Sequence, residues 1–166
     1  MRMHIPLFGN VELDVVEYTP DGRGAVTTPE AIQALEAFLA LTPVDKAQIT
    51  RHVYAYYSDT LIEADGEWGI EERMGTPSGD DIWDYVIPGP IHLGNDMEGS
   101  WYVTMVAECA WEEEHGLMLV WDSKGRLCKV SAYDGHHTNA SARSGVEMSD
   151  IVYYANNDRF TTRRDV

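Results

Sequence analysis

Three consecutive carboxylates and an imidazole, Glu112, Glu113, Glu114 and His115, directly follow an apolar run over residues 101–111 whose one charged member is Glu108. Oxygen and nitrogen donors of this kind can gather on a divalent metal or activate a water. The spacing is not HExxH, and no second His lies within a helical turn. A second group, Asp134, His136 and His137, follows the next apolar run, 127–133. If 117–121 and 127–133 pair as an antiparallel hairpin, the start of one lies beside the end of the other. Glu114, His115, Asp134 and His136 then become neighbours, an expected four-residue site for a divalent metal or an acid–base pair. The plainer expectation is a solvated strand end, with the imidazoles and carboxylates tying two turns together. Neither pattern specifies a reaction. The chain also has no Gly-rich phosphate loop, no G-x-S-x-G elbow and no CxxC pair.

The elements that must position these groups read as an α+β domain spanning 1–166, with a peripheral tail over 140–166. Val11, Leu13 and Val15 alternate with Glu12 and Asp14, a half-buried strand that a turn at Phe8-Gly9-Asn10 joins to a shorter one near Ile5. Residues 19–24 carry turn chemistry. Thr28-Pro29 and Thr42-Pro43 then each offer an N-cap followed by proline at the first helical position. Ile32, Leu35, Phe38 and Leu39 define the inner face of the first helix, and Ile49, Val53, Tyr56, Tyr57 and Leu61 that of the second. The short link predicts a helical hairpin laid on a sheet. Tyr54, Tyr56 and Tyr57 cannot all face inward at helical spacing, so one is expected to keep its hydroxyl in water.

Residues 65–81 form a Gly-rich acidic connection with Trp68 and Trp83 near its ends. Beyond it the chain reads as strands at 83–87, 91–93, 101–111, 117–121 and 127–133, with Gly116 turning one into the next. Successive hairpins predict an antiparallel sheet. Residues 151–154 read as an edge strand and 161–166 as a frayed end. Nothing here selects a dimer over a monomer.

Composition narrows the function classes. Five Trp, nine Tyr and three Phe support a packed core. No apolar run approaches the ~18 residues a membrane helix needs, and the N-terminus lacks the apolar stretch of a secretory signal. Cys109 and Cys128 fall in predicted strands and read as buried free thiols, so the expected location is cytoplasmic. Twenty-eight acidic residues against twelve basic give a net charge of −16, which repels phosphate backbones and anionic membranes and attracts a basic protein.

The run from Glu108 to Leu117, with Leu127-Cys128-Lys129-Val130 and Tyr133-Asp134-Gly135, resembles an uncharacterised bacterial family that carries a cysteine–tryptophan–acidic–glutamate–histidine–glycine motif before a C-terminal hairpin. Phe8-Gly9 and Gln33 also fit that family's pattern. The resemblance covers roughly residues 5–135 and implies a domain of unknown function, with no catalytic residues. In size and charge such domains are similar to bacterial immunity proteins. The resulting expectation is a non-enzymatic, cofactor-free binding domain for a basic protein, a toxin that it neutralises. Trp68 and Trp83 would anchor the partner, with Glu71, Glu72, Asp80, Asp81, Asp96 and Glu98 around them.

Overall fold

A computed structural model describes this molecule over residues 1–19, 22–24, 26–143, 148 and 151–154. The strands are β1 (Arg2–Ile5), β2 (Val11–Thr19), β3 (Gly22–Gly24), β4 (Val86–Ile87), β5 (Ile91–Asn95), β6 (Trp101–Cys109), β7 (Glu112–Asp122) and β8 (Leu127–Ser131). They form one sheet in the order β1-β2-β5-β6-β7-β8, with β3 on β2 and β4 on β6. The helices are α1 (Pro29–Leu39), α2 (Pro43–Ala64), α3 (Ile70–Met74) and α4 (Asn139–Arg143), joined by 3₁₀ turns at Pro6–Phe8 and Gly79–Tyr85. The fold is therefore α+β and mostly antiparallel. The exception to the expected pattern is the parallel pair β2–β5, with Val16 opposite His92. Both long helices lie between those strands in the chain, and a crossover of that length returns the chain in the same direction.

The pleat divides the sheet cleanly. Val15, Ile91, Leu93, Val103, Met105, Leu117, Leu119, Trp121 and Val130 are buried on one face. Against that face α1 lies over β5 and β6, and α2 lies over β8 and both 3₁₀ turns. Phe38 of α1 meets Trp121 with ring centroids 4.8 Å apart. The inner face of α1 differs from the periodic expectation. Ala31, Ala34, Leu35 and Phe38 are buried, whereas Ile32 is 40% exposed. The small alanines lie inward, and the helix comes so near the β7–β8 turn that a Cβ on Gly125 would sit 2.8 Å from the Ala37 carbonyl.

Both proline-started helices are present, but they are capped differently. Thr42 and Asp45 form a reciprocal capping box at α2. At α1 the cap is borrowed from the sheet: buried Glu17 accepts the amides of Thr27 and Thr28 at 3.0 and 3.2 Å, and the Thr28 hydroxyl as well. Burial pushes the Glu17 carboxyl up, but these hydrogen bonds outweigh it and hold the group below its ordinary range.

Several element boundaries differ from expectation. The run 83–87 is a 3₁₀ turn followed by the two-residue β4, because Trp83 and Tyr85 are tethered to α2 and α3 by Thr50 and the Met74 carbonyl. The connection 65–81 contains α3. The β6–β7 reversal is at Ala110-Trp111, so Glu112, Glu113, Glu114 and His115 lie within β7 and not in a loop. Trp111 is drawn under the sheet end, edge-on to Tyr56 and Tyr57. Gly116, with φ +66°, sits beside a bulge where a Cβ would lie 2.4 Å from the Ala107 carbonyl. β8 stops at Ser131 rather than Tyr133.

The three α2 tyrosines are all covered to some degree. Tyr56 and Tyr57 are buried, and half-buried Tyr54 donates to the Pro77 carbonyl at 3.3 Å. The 3₁₀ turn Gly79–Tyr85 packs on α2 as well, so this helix has more than one buried side. Residues 151–154 make a single parallel bridge, Tyr153 to Val130, in place of a full edge strand. The expected turn at Pro20-Asp21 and the expected frayed end 161–166 lie outside the described residues. Cys109 and Cys128 are free thiols, and burial pushes each up to about 12. No helix among the described residues is long and apolar enough to cross a membrane.

Candidate functional site

Arg73 organises one end of the molecule. Its guanidinium donates to the Ala110 carbonyl at 3.1 and 3.3 Å and to the Trp68 carbonyl at 2.7 Å, clasping α3 onto the β6–β7 turn. Glu113 lies 3.9 Å from the same guanidinium. Beside this clasp a depression of about 640 Å³ is lined by Asp84, Glu108, Glu113, Glu114, His115 and Ile87, among others. Ile87 is 65% exposed there, an apolar side chain in a depression that four carboxylates also line. Across the clasp, Asp65, Trp68, Glu71 and Glu72 line a second hollow, with Trp68 47% exposed. Large exposed apolar groups inside a charged rim are the usual anatomy of an interaction surface.

The residues expected to engage a partner are only partly brought together. Trp68, Glu71 and Glu72 belong to this anionic end. Asp96 and Glu98 lie in the β5–β6 turn, at the other end of β6 from Glu108 and therefore roughly 25–30 Å away at a strand's rise. Asp96 also has a local task, accepting the amides of Glu98 and Ser100 at 2.9 Å each. Asp80 accepts the Thr50 hydroxyl at 3.0 Å, and Trp83 donates its indole N–H to that hydroxyl at 2.8 Å. Trp83 further packs on Phe8 and under the Lys46 ammonium, so it is half-buried and occupied. Exposed Asp81 accepts the Ser78 hydroxyl at 3.2 Å.

The expected Glu114, His115, Asp134 and His136 site is brought near in backbone but not in side chain. The Tyr133 amide donates to the His115 carbonyl at 3.3 Å, as the hairpin geometry requires. The His115 ring, however, faces Glu112 at 3.5 Å, and Glu112 also accepts the amides of Glu114 and His115. Asp134 is taken by Lys129, whose ammonium reaches both its oxygens at 2.6 and 2.5 Å. Among the described residues no group of three or more His, Cys, Asp or Glu side chains is arranged to hold a metal ion.

Sequence reasoning missed Asp84 and Ile87. Their places depend on β4 pairing with the far end of β6, Val86 opposite Cys109. The remaining signal, an Ile that ends a short apolar run before Pro88, is too weak to find alone.

No characterised protein and no solved structure matches this chain. One family model does, over residues 1–138, which takes in the sheet, α1 to α3 and the whole anionic end. The chain belongs to the family described as a domain of unknown function, DUF6985.

Proposed function

We propose that this protein is a non-enzymatic binding domain that captures a basic protein partner at its anionic end, and that it acts as a cytoplasmic immunity protein against a bacterial toxin. The observation that carries the reading is the convergence of Asp84, Glu108, Glu113 and Glu114 around exposed Ile87, clasped by Arg73 to the hollow of Trp68, Glu71 and Glu72. Ile87 and Trp68 supply apolar area for affinity, and the carboxylates supply steering and register. The net charge of −16 extends the attraction beyond the contact itself. The toxin assignment draws on the size and charge of the chain.

The test is co-expression with a cationic secreted protein encoded beside the gene. The expected result is a complex that weakens steeply with salt, together with protection from that protein's toxicity. The double change Glu113→Lys and Glu114→Lys should weaken it about tenfold or more, while Asp96→Lys with Glu98→Lys should change it little. A complex equally sensitive at both ends, or none formed with any such protein, removes the reading.

A further inference from the structure

The sheet face turned away from the buried core presents His92 and Gly94 of β5, Tyr102, Thr104 and Val106 of β6, and Met118 of β7. Over part of this face the chain following β8 folds back, placing the His137 ring on Tyr102 with centroids 4.7 Å apart and planes 12° apart. On the other side Tyr18 stacks on His92 at 5.1 Å and 29°. Between the two stacks lies a cavity of about 460 Å³, with Tyr133 at its rim, 53% exposed. This volume is in the range typical of small-molecule sites, ~300–1,000 Å³.

Gly94 is the informative residue. It stands inside a strand, opposite Tyr102, where glycine weakens the ladder and commonly marks close approach by another group. The fold itself does not demand it. A Cβ built there would meet nothing nearer than His137 Nε2, at 3.9 Å. Glycine therefore leaves bare backbone as part of the cavity floor, between two aromatic stacks. Val106 and Met118 add apolar floor, and the imidazoles and phenols add hydrogen-bond donors and acceptors. Burial holds His137 below its ordinary range, against the pull of Asp96, so its ring is uncharged at neutral pH. Among the described residues lining the cavity there is no carboxylate, lysine or arginine, in a chain with net charge −16. Phosphates and carboxylates have no cation there to meet them, and an ammonium has no counter-ion.

We propose that the cavity over Gly94, flanked by the Tyr18–His92 and Tyr102–His137 stacks, binds a small uncharged planar heterocycle of nucleobase size. The ring lies against the bared Gly94 backbone, and its edge exchanges hydrogen bonds with the surrounding imidazoles and phenols. This site shares β6 and β7 with the anionic end, and Val106 lines both, but it uses none of that end's carboxylates and stands without them.

The experiment is calorimetric and ligand-observed NMR titration of the full chain with adenosine and guanosine, with their 5′-monophosphates and choline for comparison. At least one nucleoside should saturate with Kd below about 1 mM, and its monophosphate should bind at least about threefold more weakly. Gly94→Val should weaken nucleoside binding about tenfold or more while the melting temperature holds or rises, because a β-branched residue suits the strand. Tyr133→Ala, at the rim and outside the core, should weaken it about threefold and guards against misfolding of the first variant. Failure of both nucleosides to saturate, preference for choline, equal binding of the monophosphate, or binding unchanged in both variants overturns the proposal.

Discussion

The Tyr153 hydroxyl donates to Asp59 Oδ2 at 2.8 Å across 94 residues of chain, inside the core. Asp59 is 2% exposed, and its other oxygen has no hydrogen-bond partner among the described residues. One bond from the C-terminal segment is therefore what this carboxylate has in place of water. Asn139 reinforces the docking by donating to the carbonyls of Ile151 and Val152 at 2.7 and 3.1 Å.

Tyr153→Phe should accordingly destabilise the fold by about 2 kcal/mol, the range for a buried bond to a carboxylate. Ending the chain at residue 138, where the family match ends, should cost more, since it removes Asn139 as well as the Tyr153 ring. Urea denaturation of the three proteins checks both. An unchanged midpoint for Tyr153→Phe would show that the tail is not bound to α2.

Lys129 gives a second contrast. It is fully buried, and its ammonium is held by Asp134 and the His136 carbonyl, the latter at 3.1 Å. Burial lowers its affinity for a proton, and Asp134 opposes that shift. Asp134→Asn should destabilise by about 2–4 kcal/mol by leaving the buried charge poorly matched, while Lys129→Met should cost less than about 1 kcal/mol. Thermal and chemical unfolding of the pair decide this. Equal losses would mean that packing, not charge, holds the segment.

The pH dependence of stability should carry the mark of His52. Burial first, and Arg51 second, lower its titration to about 4. The Arg51 side chain donates to its Nε2 at 3.2 Å, which requires that nitrogen to be unprotonated. The folded state thus refuses a proton that the unfolded chain accepts below about 6.5. Stability should be level near pH 7–8 and fall as pH drops from about 6.5 towards 4, because unfolding then takes up a proton. His52→Phe should flatten this window. Glu17, held low by its hydrogen bonds, acts below it: its contribution is present above the ordinary carboxylate range and is lost on further acidification. Urea midpoints across pH 4.5–8 test the sign, and a midpoint that rises on acidification contradicts it.

Tyr56 and Tyr57 are adjacent, both buried, and opposite in their needs. The Tyr56 hydroxyl donates to the Gly116 carbonyl at 3.1 Å, joining α2 to β7. The Tyr57 hydroxyl is buried with no hydrogen-bond partner among the described residues. Tyr56→Phe should cost about 1 kcal/mol, whereas Tyr57→Phe should be neutral or stabilising by up to about 1 kcal/mol. Melting temperatures of the two variants should therefore move apart, and a larger loss at Tyr57 would refute the assignment.

Local chemistry determined what could be read without coordinates. Proline after threonine set the starts of α1 and α2, alternation marked the strand that carries Val15, and apolar runs marked those that carry Val103 and Leu119, because these signals act within a few residues. The hairpin argument correctly brought His115 beside Tyr133. Tertiary structure decided the rest. Whether Asp134 meets His115 or Lys129 depends on which face of β8 is covered, and a two-residue strand such as β4 has no periodicity to detect. The cavity over Gly94 exists only because β2 lies parallel beside β5, a pairing made across both long helices. Residue types specify which groups are available for contact. The pairing of distant strands specifies which of them share a space.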